Sequence, residues 1–508
     1  MGDVEEVVEK EAFPEVDAEY EDEYTDFKSQ LRALVLSIAR QLYCSCSVMM
    51  FPVLSQIYQH VKRETPPIEV DLDPDDKYFS IDEEHFAFIV FDRGLLTPSI
   101  TGFIIGGILL RFIGRKYTII LTNFLHVVLL SYAFLSGVEE FYPYNLSLVN
   151  VFVRNIGYMS FFIYLAEITS PTFRAFFMGF YVLNENIARI KVDTARNEGK
   201  VNKMFRNVTV ITSLSFLLAI FTPETPFWLT LKGNPEKAEE IFTWIRAGYS
   251  DVDEFNQMLS TIEDYSGDKR ILKRILSRTF IVGFIFSILV ILCDINPCKL
   301  MEVVLHDNYL DYDTQTQDDI DNLALIIDEP SKYFTRNKMN GVVFFLAFNF
   351  ILPRKLFYVM SYSLGILIVV VIRYNLSSIE TLMQFSSYCL MPPYLGTTAL
   401  QHILAVEMFP TTLREIGLVA RSIFNVFYLY ADDFSTSPDG YFPLRWINRP
   451  LYYAQFFISL IGIPVLLIFM PETKTTNIYE LDQVISDLPG EDFTSVDGEN
   501  AVGESEEN

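Results

Sequence analysis

Apolar runs of close to twenty residues recur along the whole chain, and no other feature restricts its fold so severely. A bilayer core of about 30 Å takes about 20 mostly apolar residues per helix. Runs of that kind lie at 31–54, 85–110, 116–137, 145–167, 173–190, 205–222, 279–297, 338–352, 356–373, 379–406, 411–431 and 451–470. They fall six and six around a polar stretch, 223–278. There, Pro235–Arg246 and Asp253–Tyr265 carry apolar residues at helical spacing. The eighth run is short, Asn184, Glu185 and Asn186 interrupt the fifth, and 299–337 is too polar to span. The expected architecture is an all-α membrane protein, with twelve transmembrane helices in two six-helix halves. Its parts are an acidic disordered tail (1–30), a first bundle (31–222) and a helical linker (223–278). A second bundle (279–470) with an acidic outer loop (299–337) and a second acidic tail (471–508) complete it.

Charge is distributed to match. Residues 1–30 hold 12 Asp/Glu and 472–508 hold 11, against three Lys/Arg in both together, so the ends carry −20 of the net −26. The chain between them is close to neutral, which excludes a soluble acidic enzyme, a nucleic-acid binder and a wholly disordered chain. The five cysteines (Cys44, Cys46, Cys293, Cys298, Cys389) show no disulfide or zinc spacing. No nucleophile–base pair, metal cluster or phosphate loop appears, so no enzyme activity, metal or cofactor is expected. The opening of the chain is acidic rather than basic and apolar, so the first span is expected to act as insertion signal.

Lys and Arg concentrate in loops after even-numbered spans: Arg111, Arg115 and Lys116; Arg174; Lys232 to Arg274 in the linker; Arg354 and Lys355; Arg414. Positive residues stay on the cytosolic side, so both termini are expected there, with the acidic loops 59–83 and 299–337 outside. The basic stretch 189–206 disagrees and is outvoted. Two glycosylation sequons, at Asn145 and Asn375, fall in short loops assigned outside. A plasma-membrane, multi-pass monomer is the expectation.

Boundary motifs repeat between the halves. Gly107–Lys116 (GILLRFIGRK) follows span two, and Phe350–Lys355 (FILPRK) follows span eight. Glu167 precedes Arg174 by seven residues across Pro171 after span four, and Glu407 precedes Arg414 by seven across Pro410 after span ten. Pro223-Glu224-Thr225-Pro226 follows span six, and Pro471-Glu472-Thr473-Lys474 follows span twelve. Two-fold internal repetition of this kind is expected of rocking transporters.

Together these motifs resemble the sugar porter family of the major facilitator superfamily, over roughly residues 85–485. Ile241–Leu259 and Asp321–Ile327 look closest to its insect facilitated trehalose transporter branch. The resemblance implies the major facilitator fold and movement of a sugar, a hexose or a disaccharide such as trehalose, by alternating access. An organic-ion transporter and a transporter-derived sensor or interaction protein are the alternatives. It also implies a conformational latch in which Glu167/Arg174 and Glu407/Arg414 face Arg115, Lys116, Arg354 and Lys355. Partly exposed pairs contribute about 0–1 kcal/mol each, so several together make a reversible latch.

The chain departs from the family pattern at several points. Arg111 and Phe350 stand where the loop motif carries an acid, leaving the latch short of a carboxylate on each side. The span-seven Gln pair is replaced, leaving Asn296, and the span-ten motif reads Thr398–His402, with His402 at the Trp position. Asn425 lies 11 residues after Arg414, like the family's sugar-contacting Asn, and Asn186 lies 12 after Arg174. Asn425, Asn296, His402, Gln401 and Asn186 are the candidate substrate-binding residues, able to donate and accept hydrogen bonds. Phe424, Tyr428 and Tyr388 would give the sugar an apolar face. Residues 31–54 contain no Asp or Glu, only Arg32 and Arg40 as charges. With no titrating group in that helix, facilitated diffusion rather than proton coupling is expected, with Asp92 and His402 the two groups able to overturn this.

Overall fold

The computed structural model describes residues 18–49, 83–135, 144–197, 201–247, 252–267, 274–293, 343, 345–348, 351–361, 363, 367, 397–436, 445–474 and 479. Among them there is no strand.

The first half contains α1 (Ala18–Met49), α2 (Glu83–Phe112), α3 (Arg115–Leu135), α4 (Tyr144–Ile168), α5 (Pro171–Asn197) and α6 (Val201–Phe221). The linker forms α7 (Pro226–Leu231), α8 (Pro235–Arg246) and α9 (Val252–Gly267). In the second half stand α10 (Arg278–Leu292), α11 (Thr397–Glu407), α12 (Arg414–Thr436) and α13 (Arg445–Phe469). Residues 345–348 are helical inside the expected eighth span, and 354–361 begin the ninth. Helices therefore lie at all six expected spans of the first half and at both expected linker helices. The first helix starts at Ala18, so residues 18–30 are helical rather than part of a disordered tail. The loops 59–82 and 299–337, Asn296, Asn375 and Tyr388 lie outside the described residues. So do the side chains of Asp92, Asn145 and Asn186. Asn145 sits in the first turn of α4.

The helices are turned inside out relative to those of a water-soluble bundle. On α3 the exposed residues are Tyr117, Leu121, Phe124, Val128, Tyr132 and Leu135, spaced three or four apart, while Thr118, Thr122, Asn123 and His126 are buried. On α6, Val210, Leu214, Leu217 and Phe221 face outward and Thr212 and Ser215 inward. An apolar outer surface around a partly polar interior suits hydrocarbon, and the buried threonines bond back to their own helices. Thr118, Thr122 and Thr212 each donate to the carbonyl four residues back.

Two close approaches join the halves. α2 packs on α12, and α5 on residues 345–346 and α11. A Cβ added at Gly107 would come 2.7 Å from Val419 Cγ2, and one at Gly179 would come 2.7 Å from Leu346 Cδ2. The absent side chains let the helix pairs close. The linker is fastened to the first half. Ser37 Oγ donates to the Ile245 carbonyl at 3.1 Å, and Arg40 donates to the Trp244 carbonyl and lies over its ring.

Candidate functional site: an ion-pair clasp and an aromatic seam

Each half repeats one construction at the same face of the bundle. In the first half the Glu224 carboxylate accepts from the backbone N–H groups of Arg115 (3.1 Å) and Lys116 (3.1 Å), closing the N-terminus of α3. In the second, Glu472 accepts from the N–H groups of Arg354 (3.0 Å) and Lys355 (3.1 Å). A carboxylate at a helix start satisfies orphan donors and complements the helix dipole. Gly114 makes the approach possible, with φ +97° and no Cβ where one would lie 2.5 Å from Glu224 Oε2. Burial pushes the Glu224 carboxyl above its usual range, while the Thr225 and Lys116 amides and Arg115 oppose that rise. The Pro-Glu-Thr motifs therefore cap a cation-bearing helix that begins over a hundred residues earlier in the chain.

Capping aims each arginine inward. Arg115 grips Glu167 with Nε (3.1 Å) and Nη2 (2.8 Å), and Nη1 donates to the Leu110 carbonyl at 3.1 Å. Arg354 Nη1 is paired with Glu407 and donates to the Thr473 carbonyl at 3.0 Å. Each half then reaches across to the other. Arg115 Nη2 is 2.6 Å from Glu415 Oε1, and Arg174 Nη1 is 2.9 Å from Glu407 Oε1. Arg354 Nη2 donates to the Pro171 carbonyl at 3.0 Å. All six charged side chains are at least 95% buried: Arg115, Arg174 and Arg354 at 0–1% exposure, Glu407 at 0%, Glu415 at 4% and Glu167 at 5%.

The geometry corrects the expected latch in four respects. Glu407 pairs with Arg174 and Arg354 rather than with Arg414, its neighbour in the motif. Arg414 instead donates to the Val406 carbonyl (3.1 Å) and Thr411 Oγ1 (3.0 Å), closing the end of α11. Lys116 and Lys355 contribute backbone N–H groups to the caps, and among the described residues no ammonium–carboxylate pair involves either. The pairs are buried, not partly exposed. The sequence reading also missed Glu415, which brings Arg115 a carboxylate from the other half. Its counterpart after Arg174 is Ala175, so the clasp is not symmetric. In the first half, the Ile168 carbonyl at the end of α4 is taken by Arg246 of α8 at 2.8 Å, and Arg246 also pairs with Glu254. Beyond α13, Tyr479 is 5% exposed and stacks on Phe227 at 6.1 Å, tying the end of the second half to the linker.

A second contact between the halves lies deeper. His402 Nδ1 of α11 is 2.9 Å from the Tyr158 hydroxyl of α4. Phe162 stacks on the imidazole at 5.1 Å, and Tyr181 stands edge-on at 5.7 Å. His402 thus plugs an aromatic socket made by the first half. Gln401, next to it, is half-buried, and its carbonyl accepts from Arg421 at 3.3 Å. Asn425, Phe424 and Tyr428 are half-buried one to two turns further along α12. The structure places His402 and Gln401 on one helix and Asn425 on its neighbour. Tyr158, Phe162 and Tyr181 were missed, since aromatic residues in a greasy span carry no mark of their partner.

Comparison with known proteins agrees with this architecture. The family profile described as "Sugar (and other) transporter" matches residues 95–312, less than half of the chain. Among curated proteins, none matches the chain. Among solved structures, the chain is similar to the major facilitator superfamily proton:xylose symporter XylE bound to 6-bromo-6-deoxy-D-glucose. The TM-score is 0.60 at 18% identity, over 89% of this chain and 99% of that one. It is also similar to the inward open conformation of the xylose transporter XylE from E. coli. There the TM-score is 0.52 at 16% identity, over 88% and 99% of the two chains. At these identities the likeness speaks to architecture alone, and with the repeated clasp it settles that architecture: the chain has the major facilitator fold.

Proposed function

We propose that this protein moves a sugar, a hexose or a disaccharide, across the plasma membrane by facilitated diffusion and alternating access. The observation that carries the proposal is the pair of charged bridges between halves, Arg115–Glu415 and Arg174–Glu407. Both halves are anchored at one face by contacts that must break if that face is to open.

The energetics suit a reversible clasp. Burying ions costs several kcal/mol each, and their mutual attraction roughly offsets that cost when every partner is in place. Opening returns the same ions to water. The closed clasp is therefore specific in geometry yet close to neutral in free energy, so binding a small polar ligand can tip the balance. The seam between His402 and Tyr158 would open in the same motion. Its hydroxyl and imidazole can exchange their mutual bond for bonds to sugar hydroxyls, and the surrounding rings suit a sugar's C–H face.

The profile match to sugar transporters supports the substrate class. XylE is a proton symporter; in this chain residues 31–54 hold no carboxylate, which supports movement without proton coupling. Membership of the sugar porter family, a twelve-span count and cytosolic termini belong to the same proposal, the last supported by the Lys/Arg distribution. Uptake of labelled sugars into vesicles holding the purified protein tests it. Saturable uptake above empty vesicles is expected, and its absence from folded protein would overturn the reading.

A further inference from the structure

A cavity of about 310 Å³ opens beside the first-half cap, lined by Lys116, Tyr117, Glu224, Trp228, Lys237 and Ile241 among others. We propose that it binds the phosphate-bearing headgroup of an anionic phospholipid in the leaflet on the clasp side.

Three observations converge on that chemistry. The first is unspent positive charge. Among the described residues, neither the Lys116 nor the Lys237 ammonium has a hydrogen bond or ion pair, and Lys232 stands 5.5 Å over the Trp228 ring. The carboxylate in the wall, Glu224, is occupied by the backbone N–H groups of Arg115, Lys116 and Thr225. The second is an orphan donor. Among the described residues Trp228 Nε1, in the cavity wall, is buried and has no partner, and an indole N–H can only donate.

The third is position. Tyr117 is 57% exposed at the start of α3, and Phe112 (69%) and Phe221 (74%) are exposed at the ends of α2 and α6. Aromatic rings beside lysines at the end of apolar spans mark the headgroup layer. Lysines near such a surface attract anionic lipid.

The other half shows the same ground plan with its ammonium groups engaged. Pro226 is replaced there by Lys474, whose Nζ donates to the Leu352 carbonyl at 3.2 Å, and Lys355 Nζ donates to the Ile468 carbonyl at 3.4 Å. In the second copy both ammonium groups are spent on the protein. In the first they face a cavity wide enough for a phosphate ester. A lipid held there would bridge α3 and α8, on either side of the Glu224 cap.

The test uses the full-length protein in neutral detergent, with thermal unfolding as the readout. A short-chain phosphatidylinositol phosphate should raise the unfolding temperature saturably, and short-chain phosphatidylcholine should not. In the double variant Lys116→Gln/Lys237→Gln, apparent affinity should fall about tenfold or more, since each lysine contributes electrostatic attraction. Lys203→Gln, on α6 away from the cavity, should retain wild-type affinity. Trp228→Phe keeps the ring and removes the donor, so a fall of a few-fold is expected there even if the double variant is poorly folded. Unchanged affinity in both variants overturns the proposal, as does an equal effect of phosphatidylcholine. Inositol phosphate without acyl chains binding as tightly as the lipid would also overturn it, by making the ligand a free phosphate ester.

Discussion

Arg174 Nη1 lies 2.9 Å from Glu407 Oε1, joining the two halves of the chain across 233 positions. Glu407 also holds Arg354 of its own half, so one buried carboxylate serves two guanidinium groups. Glu407→Gln keeps the shape and removes the charge, leaving both arginines buried without it. Breaking a buried pair in this way costs about 3–5 kcal/mol, and about 1.4 kcal/mol changes a population ratio tenfold. The clasp side should open. A reporter cysteine at Val419, half-buried at the α2–α12 seam, should be alkylated at least ten times faster in the variant. An unchanged rate would show that the contact does not hold the face shut.

Steric closure can be tested apart from charge. Gly107→Leu places a side chain where even a Cβ would meet Val419 at 2.7 Å, so the two helices must separate. Spin labels at Lys232, exposed on the linker fastened to the first half, and at Leu356, exposed on the second half, should move apart by several ångströms, with the ion pairs chemically intact. A distance distribution like that of the unsubstituted protein would place the seam's contribution elsewhere.

Much of this was legible in the sequence. Apolar runs located the helices of the first half and of the linker, and the repeated motifs marked the face where the halves meet. Which charges pair could not be read. Glu407 and Arg414 are seven residues apart, two turns along a continuous helix, but Pro410 and the turn at Thr411–Leu413 redirect the chain between them. The partner chosen instead comes from the other half, and no local spacing encodes that choice. Glu415 was overlooked for the same reason. It looks like one more charge beside Arg414, and only the α2–α12 approach brings it to Arg115. The socket around His402 has no sequence signature at all. Asn296 and Asn186, read by register against the family pattern, remain proposals.

Loss of a capping carboxylate should be felt as stability. Glu224→Ala and Glu472→Ala each expose helix-start N–H groups and free an arginine-bearing turn. Each should lower stability by about 0.5–2 kcal/mol, the usual range for a cap. Because the two caps are built alike, their effects on unfolding temperature in detergent should be similar. An effect confined to one of them would mean that the structural repeat is not an energetic one.

The deeper seam predicts a change in ligand affinity rather than in folding. Tyr158→Phe removes the hydroxyl facing His402 and keeps the ring packing. A neutral hydrogen bond contributes about 0.5–1.5 kcal/mol, so the ratio of closed to open seam should fall by a few-fold to about tenfold. Half-saturation for sugar in counterflow should shift accordingly, with the unfolding temperature nearly unchanged. A shift in unfolding temperature alone would make the contact structural only.

Sugar transport without proton coupling is the central claim, and counterflow in vesicles holding the purified protein tests it most directly. Labelled sugar should enter saturably, exchange against unlabelled sugar and stop at the outside concentration, with or without an imposed pH gradient. Accumulation above that concentration driven by the gradient, and abolished by Asp92→Asn or His402→Gln, would contradict facilitated diffusion; no sugar entry at all, from protein shown to be folded, would contradict the transport itself.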